Sequence, residues 1–222
     1  MNILDFIFPK TCASCGRVGQ YLCENCSAKI ESVGTQICPI CTKPSISGLT
    51  HPRCKSKLSL DGIYSFVYFT LPIPQTLYKL KYKFVQTLAE ELIDNIRITF
   101  PNYLKNHTLT AVPLHSKREN WRGFNQTDIL AGLVAHKFKL RQEKDILRRR
   151  KSTKNQVGSS RKNRGENVRY AFEVVDKKIA KGKNYLIFDD VWTSGATLRN
   201  AGNALKRAEA ASVWGLTLAR SR

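Results

Sequence analysis

The seven cysteines of this chain all lie within its first 54 residues. A C-x-x-C step lets two thiolates reach one tetrahedral ion from a single tight turn. Three cysteine pairs have this step, and a histidine and a cysteine form a fourth pair with the same spacing. An odd number of cysteines does not suit a disulfide framework. The pattern therefore predicts two zinc sites with these ligands: Cys12, Cys15, Cys23, Cys26, Cys38, Cys41, His51 and Cys54.

The spacing leaves the pairing of these four ligand pairs open. Sequential pairing gives short ribbon-like loops and is the favoured arrangement, while interleaved pairing remains an alternative. His51 precedes Pro52, and it would be an exposed loop histidine if the second site had three cysteines alone. Closed cysteine-rich sites are usually structural rather than redox-active. A segment of about 55 residues buries too little apolar surface to stabilise itself without metal.

The composition changes near residue 60, where segments rich in β-formers begin to alternate with segments of helical periodicity. Strands are predicted over 62–69, 109–113, 169–175, 185–188 and 212–219. One or two helices are predicted over 75–98, and single helices over 126–138 and 196–208. Alternating strands and helices predict an α/β fold with a parallel sheet covered on both faces. We therefore expect a zinc-binding module over 1–59 and an α/β domain over 60–222.

The stretch YLIFDDVWTSGATL, residues 185–198, combines a buried strand, two carboxylates, a Thr/Ser/Gly turn and a helix start. Ligands of open α/β sheets bind at the carboxyl ends of the strands, and free N–H groups at a helix N-terminus attract anions. Gly195 allows close approach of the backbone to a phosphate. The stretch therefore predicts a phosphate site. The alternative is a capped helix after an ordinary strand, with Asp189 and Asp190 solvated.

The same stretch resembles the phosphoribosyl pyrophosphate (PRPP) signature of the type I phosphoribosyltransferases. The resemblance implies that Asp189 and Asp190 contact the ribose hydroxyls of PRPP. It also implies that the following turn wraps the 5-phosphate through Thr193, Ser194, Gly195, Ala196 and Thr197. Phosphoribosyltransferases for 6-oxopurines carry an aspartate general base where this chain has Thr193, which argues against hypoxanthine- or guanine-type chemistry.

Further segments resemble the ComF family in the right order along the chain. They are LKY at 80–82, AVPLHSKR at 111–118, RGFNQ at 122–126, TKNQ at 153–156, R-x-x-R-x-x-N at 161–167 and AF at 171–172. With the cysteine pairs, this resemblance spans nearly the whole chain. It implies a type I phosphoribosyltransferase-like parallel sheet with flanking helices, plus a small N-terminal zinc-binding domain. His51 departs from the family, which usually has cysteine at that position.

The resemblance also suggests a chemistry. In an enzyme, Mg²⁺ bound with PRPP and the side chains of Lys117 and Arg118 would neutralise the departing pyrophosphate, so these two residues are the catalytic candidates. Basic residues over 148–164 would close over the site. No segment identifies a pocket for an acceptor, and the same fold serves proteins that bind PRPP without turnover. Whether the chain is an enzyme stays open at this point.

The formal charge of +20 indicates either phosphate-rich partners or, as the alternative that composition leaves open, a soluble basic protein with a solvated face. Positive charge is concentrated between residues 137 and 169, and the candidates for contact with DNA are Arg148, Arg149, Arg150, Lys151, Arg161, Lys162 and Arg164. ComF proteins are associated with natural transformation, which implies contact with single-stranded DNA and with DNA-uptake proteins at the inner face of the membrane. The alternative is a basic arm that closes over pyrophosphate alone.

The apolar start over 1–9 is short, contains Asp5 and has no basic segment before it, so we expect a cytoplasmic protein without a membrane span. Together these features predict a PRPP-binding competence protein that acts in natural transformation and contacts single-stranded DNA. The alternative is an active phosphoribosyltransferase with an unidentified acceptor. A PRPP-sensing transcription regulator is less favoured, because the sequence shows no helix-turn-helix signal.

Overall fold

The computed structural model describes residues 9–82, 86–114, 124–149 and 171–222. A four-stranded sheet forms its centre, with the strands in the order β1-β6-β5-β2 and every neighbouring pair parallel. A second, two-stranded sheet pairs β3 with β4 antiparallel. The strands are β1 (Gly62–Tyr68), β2 (Thr108–Ala111), β3 (Leu147–Arg149), β4 (Phe172–Val174), β5 (Asn184–Trp192) and β6 (Ser212–Arg220).

Helices surround the central sheet. They are α1 (Glu24–Ser27), α2 (Ile73–Tyr82), α3 (Gln86–Asp94), α4 (Gln126–Phe138), α5 (Lys177–Ala180) and α6 (Ala196–Arg207), with 3-10 turns at Ile46–Gly48, Pro52–Cys54 and Asn102–Leu104. Within the described residues, none of these helices has the length and apolar character needed to cross a lipid bilayer.

The two faces of the sheet bury two different apolar clusters. Leu186 and Phe188 of β5 pack with residues of α2, α3 and α4. Tyr185 and Ile187 of the same strand face the other way and pack with α6. Successive side chains of a strand point to opposite faces, so a strand buried on both sides is continuously apolar. The predicted parallel sheet with helices on both faces is confirmed.

The structure differs from the sequence-based elements in two places. β5 does not end at residue 188, because its pairing with β6 continues through Asp189 opposite Thr217 to Trp192 opposite Arg220. Both candidate carboxylates therefore lie within the strand. The strand predicted over 169–175 is described only as β4, and it pairs with β3 outside the parallel sheet.

The cysteine-rich segment closes the free edge of β1. The backbone N–H of Val33 donates to the Phe66 carbonyl at 2.9 Å. The Gln36 side chain accepts from the Ser65 N–H at 2.9 Å and donates to the Ser65 carbonyl at 3.0 Å, as a neighbouring strand would. An edge strand covered in this way is protected from pairing with other chains. The boundary between residues 59 and 60 stays a prediction.

Candidate functional site

The first candidate metal centre consists of Cys12, Cys15, Cys23 and Cys26, whose sulfur atoms all lie within 4.8 Å of one another. The Cys15 and Cys23 sulfurs are 3.6 Å apart. Tetrahedral zinc with Zn–S bonds of about 2.3 Å separates its sulfur ligands by roughly 3.8 Å. The arrangement therefore fits a zinc ion with four cysteine ligands.

The second centre consists of Cys38, Cys41, His51 and Cys54. The Cys41 sulfur lies 3.3 Å from Nδ1 of His51, and Nε2 of the same ring lies 3.1 Å from the Pro44 carbonyl oxygen. A hydrogen bond from Nε2–H to that carbonyl leaves the Nδ1 lone pair directed at the thiols, which is the tautomer a zinc ligand needs. The structure thus groups the pairs sequentially and includes His51, as predicted.

The electrostatics of the first centre also favour a cation. Burial acts to raise the pKa of the Cys12 thiol, but backbone N–H groups of Cys15 and Cys23 outweigh it and lower that pKa to about 6. Burial and the neighbouring sulfurs raise the pKa of Cys26 to about 12. Four sulfurs therefore cannot all ionise near neutral pH by themselves, whereas a bound Zn²⁺ stabilises all four thiolates.

His51 provides a direct test of the second centre. We expect the wild-type protein to hold two zinc ions, the His51→Ala variant to lose one of them, and His51→Cys to keep both. Zinc content measured by plasma mass spectrometry after dialysis checks this. Two equivalents of zinc retained by His51→Ala would show that the imidazole is not a ligand.

The turn between β5 and α6 forms the candidate phosphate site. Gly195 caps the helix with φ of 72°, and a Cβ atom there would lie 2.2 Å from the Trp192 ring, so no other residue fits. The Ala196 N–H donates to the Ser194 hydroxyl at 3.4 Å, and the first backbone bond of α6 runs from the Arg199 N–H to the Gly195 carbonyl at 3.0 Å. Between these two, the N–H groups of Thr197 and Leu198 have no acceptor among the described residues and are available to an anion.

The structure brings the residues predicted at this site together. Asp189 and residues 191–198 line one small concavity. Asp190 does not line the concavity, and its Oδ2 atom forms an ion pair with Nζ of Lys81 at 2.8 Å. The Asp189 carboxylate accepts a hydrogen bond from the Asp190 N–H at 2.9 Å. Burial and the negative charge of Asp190 raise the pKa of the Asp189 carboxyl to about 7.

Sequence reasoning missed two residues of this site. Lys81 lies on α2, far from the turn in sequence. The sequence pattern indicates no role for it, because its ion pair with Asp190 is visible only in the structure. Arg199 lies within α6, and its side chain returns to the turn to donate to the Ser194 carbonyl at 2.6 Å. Both contacts depend on tertiary packing, and no local pattern indicates them.

Most of the basic candidates lie outside the described residues. These are Lys117, Arg118, Arg150, Lys151, Arg161, Lys162 and Arg164. Two candidates are described on β3: Arg148 is exposed, and the Arg149 guanidinium lies 5.3 Å from the centre of the Phe172 ring. The catalytic and DNA-binding roles given to these residues stay predictions.

Comparison with known families supports the metal centres. Residues 3–55 match the double zinc ribbon domain. This range contains both ligand clusters, and the match agrees with their geometry. The predicted use of zinc is confirmed.

Comparison with known proteins extends the likeness over the rest of the chain. Competence protein ComFC of Bacillus subtilis is 26% identical over 213 residues, covering 90% of this chain and 84% of that protein. The DNA utilization protein YhgH of Salmonella typhimurium is 26% identical over 212 residues, covering 90% of each. The resemblance to the ComF family is confirmed. Competence protein F of Haemophilus influenzae is 33% identical over 114 residues, half of each chain.

A solved structure shows a slighter likeness. It is glutamine PRPP amidotransferase from B. subtilis, with a TM-score of 0.38 and 19% identity, covering 60% of this chain and 25% of that one. We draw no conclusion about ligands or activity from it. The predicted α/β fold, a parallel sheet with flanking helices and an N-terminal zinc-binding segment, is confirmed by the sheet of this chain and by its zinc ribbon match.

The raised pKa of Asp189 predicts a stability change with a definite sign. Its folded-state pKa of about 7 lies above the ordinary value of 3.8, so ionisation destabilises the folded protein increasingly from about pH 4 to pH 7. We expect Asp189→Asn to raise the melting temperature at pH 8 by roughly 2 °C or more. The gain should shrink at pH 5.5. Differential scanning fluorimetry with zinc present measures both.

Asp190→Asn is the matched control for this prediction. Asp190 pairs with Lys81 but also repels Asp189, so its replacement removes one favourable and one unfavourable interaction and should raise the melting temperature less than Asp189→Asn does. A gain for Asp189→Asn that is the same at both pH values would contradict the burial of an ionised carboxylate as its cause.

Proposed function

We propose that this chain is a PRPP-binding competence protein of phosphoribosyltransferase fold that acts in natural transformation and contacts single-stranded DNA. The observation that carries the proposal is the turn from β5 into α6. The available N–H groups at the start of α6 and the Asp189 carboxylate line one concavity, and the next carboxylate, that of Asp190, is paired with Lys81. The N–H groups need an anion as acceptor, and the carboxylates need hydroxyl groups as donors. A ribose 5-phosphate supplies the anion and the hydroxyl groups.

The orientation of the ligand follows from charge. The 5-phosphate would accept hydrogen bonds from the backbone of the first turn of α6 and from the hydroxyls of Thr193, Ser194 and Thr197. The ribose hydroxyls would donate to Asp189 and Asp190, which keeps the carboxylates away from the phosphate. Mg²⁺ would neutralise the pyrophosphate, and carboxylate oxygens such as those of Asp189 are ligands of the kind it accepts, directly or through water.

Contact with single-stranded DNA is supported by a second surface, on α2. Tyr78 and Tyr82 are 64% and 53% exposed, and their ring centres lie 4.6 Å apart. Lys79 and Lys81 lie on either side of this pair on the helix. Proteins that bind single strands combine positive charge with aromatic rings on which bases stack. We call Tyr78, Lys79, Lys81 and Tyr82 the tyrosine face.

The tyrosine face adjoins the phosphate turn, because Lys81 reaches Asp190. The net charge of +20 supports the same partner class. The names of the relatives agree with this role, since they are a competence protein and a DNA utilization protein. Competence is therefore the cellular process in which we place the chain.

The PRPP site is tested by replacing both carboxylates. We expect Asp189→Asn combined with Asp190→Asn to abolish PRPP binding in isothermal titration with Mg²⁺, because the ribose hydroxyls lose their charged acceptors. Zinc content should be unchanged. Glu24→Gln combined with Asp94→Asn makes the same change of net charge at exposed positions on α1 and α3 and should bind PRPP like the wild type.

Three measurements on the same proteins separate the outcomes. PRPP affinity that survives the double replacement would refute the site. Pyrophosphate released from PRPP by the wild type but not by the double variant would favour an active phosphoribosyltransferase over a binding protein. Titration with a bound oligothymidylate tests whether DNA weakens PRPP binding through a shared surface.

The tyrosine face is tested by removing its rings. We expect Tyr78→Ala combined with Tyr82→Ala to weaken binding to oligothymidylate by roughly tenfold or more, because base stacking is lost. Fluorescence anisotropy measures this, and an abasic strand of equal length should be unaffected. Tyr78→Phe combined with Tyr82→Phe keeps both rings and should bind like the wild type. Equal losses on both strands would contradict base stacking.

A further inference from the structure

Arg199 joins the second metal centre to the phosphate turn. Its Nη1 group donates to the Pro39 carbonyl at 2.9 Å, and its Nη2 group donates to the Ser194 carbonyl at 2.6 Å. Pro39 lies between the zinc ligands Cys38 and Cys41. Ser194 lies in the turn that precedes α6. One guanidinium therefore connects the Cys38–Cys41 loop of the second metal centre to the candidate phosphate site.

We infer that Arg199 is a positioning residue through which the second zinc centre fixes the phosphate-binding turn, so that loss of this zinc weakens PRPP binding. The inference rests on the proposed binding of PRPP at this turn. It assigns the zinc ribbon a role in ligand binding in addition to its structural one.

The geometry of the peptide bond explains how Arg199 acts on the ligand. A trans peptide is planar, and its C=O and N–H groups point in opposite directions. Arg199 holds the carbonyl of Ser194, so it also fixes the direction of the Gly195 N–H, away from the guanidinium. Gly195 lines the concavity. A fixed donor binds an anion more tightly than one that must first be oriented.

Trp192 restricts the same turn from another side. Its ring occupies the space that a Cβ atom on Gly195 would need, and the Arg199 guanidinium lies 5.7 Å from the centre of that ring. The turn is thus held between the Trp192 ring and the Arg199 guanidinium. Lysine is a poor substitute for this donor, because its compact ammonium lacks the planar fork whose two separate NH₂ groups each reach one of the two carbonyls.

The charge of Arg199 adds to the effect. Its acceptors are two neutral carbonyls, and no carboxylate of the described residues lies within ion-pair distance of it. Its positive charge therefore reinforces the positive end of the α6 dipole, where a phosphate would bind.

The first zinc centre offers a natural control, because it contacts a different part of the fold. Cys12, Cys23 and Cys26 pack in the cluster on the α2–α4 side of the sheet. The backbone N–H of Leu22 donates to Oε2 of Glu91 on α3 at 2.8 Å. The contact of Arg199 with Pro39 involves the second centre, so loss of the first zinc should not act through Arg199.

The test is a double-mutant cycle read by isothermal titration of PRPP with Mg²⁺. We expect Arg199→Lys to keep both zinc ions and to weaken PRPP binding roughly tenfold, as loss of a charged hydrogen bond does. His51→Ala, which removes the second zinc, should weaken binding by a similar factor alone. In the Arg199→Lys background, His51→Ala should weaken PRPP binding by less than about twofold more. Cys15→Ala, at the first centre, should have the same effect in both backgrounds.

The outcomes distinguish this inference from the function on which it rests. Wild-type protein that fails to bind PRPP would refute the proposed function itself. If the wild type binds PRPP and Arg199→Lys binds it with equal affinity, the inference about Arg199 is overturned while the proposed function stands. This comparison does not depend on whether a zinc-site variant folds. Independent, multiplicative effects of His51→Ala and Arg199→Lys would also overturn it. Hydrogen exchange at the amides of residues 195–198 should become faster in Arg199→Lys, in the absence of any ligand.

Discussion

The rest of the structure depends on the attachment of the zinc ribbon to the outer strand of the sheet. Strand β1 has β6 on one side only, and its other side is occupied by Val33 and by the amide of Gln36. A short ribbon holds this shape because metal binding replaces the hydrophobic core that it lacks. We therefore expect zinc to stabilise more than its own loops, because the segment that holds the zinc ligands also covers the edge of β1.

The candidate site is a place where the fold accepts destabilising features. The Thr197 and Leu198 N–H groups at the start of α6 have no acceptor among the described residues, and burial beside a second carboxylate raises the pKa of Asp189 to about 7. Neither feature improves packing. Features of this kind persist where the surroundings hold them in place, and they are concentrated at sites that bind ligands. A ribose phosphate would relieve both, since it supplies an anion for the helix and hydroxyl donors for the carboxylates.

The sequence predicted what depends on local patterns. The helix over 126–138 matches α4, the one over 196–208 matches α6 within a residue, and the cysteine spacing identified both metal centres. It did not predict the length of β5, because residues 189–192 extend the strand through pairing with β6. The roles of Lys81 and Arg199 were missed for the same reason: each depends on a partner distant in sequence, which periodicity and spacing do not reveal.

The pairing of Lys81 with Asp190 gives the two proposed ligands a physical connection. Lys81 belongs to the tyrosine face and neutralises a carboxylate that would bind the ribose. A DNA phosphate that draws Lys81 away leaves Asp190 without its cation, beside the partly buried Asp189. The charge of Lys81 acts to lower the pKa of the Asp189 carboxyl, so its departure makes the ionised form of Asp189 less favourable and weakens the hydrogen bond to ribose. By linkage, PRPP would weaken DNA binding by the same factor. Antagonism between the two ligands therefore needs no overlap of their sites, only one shared lysine.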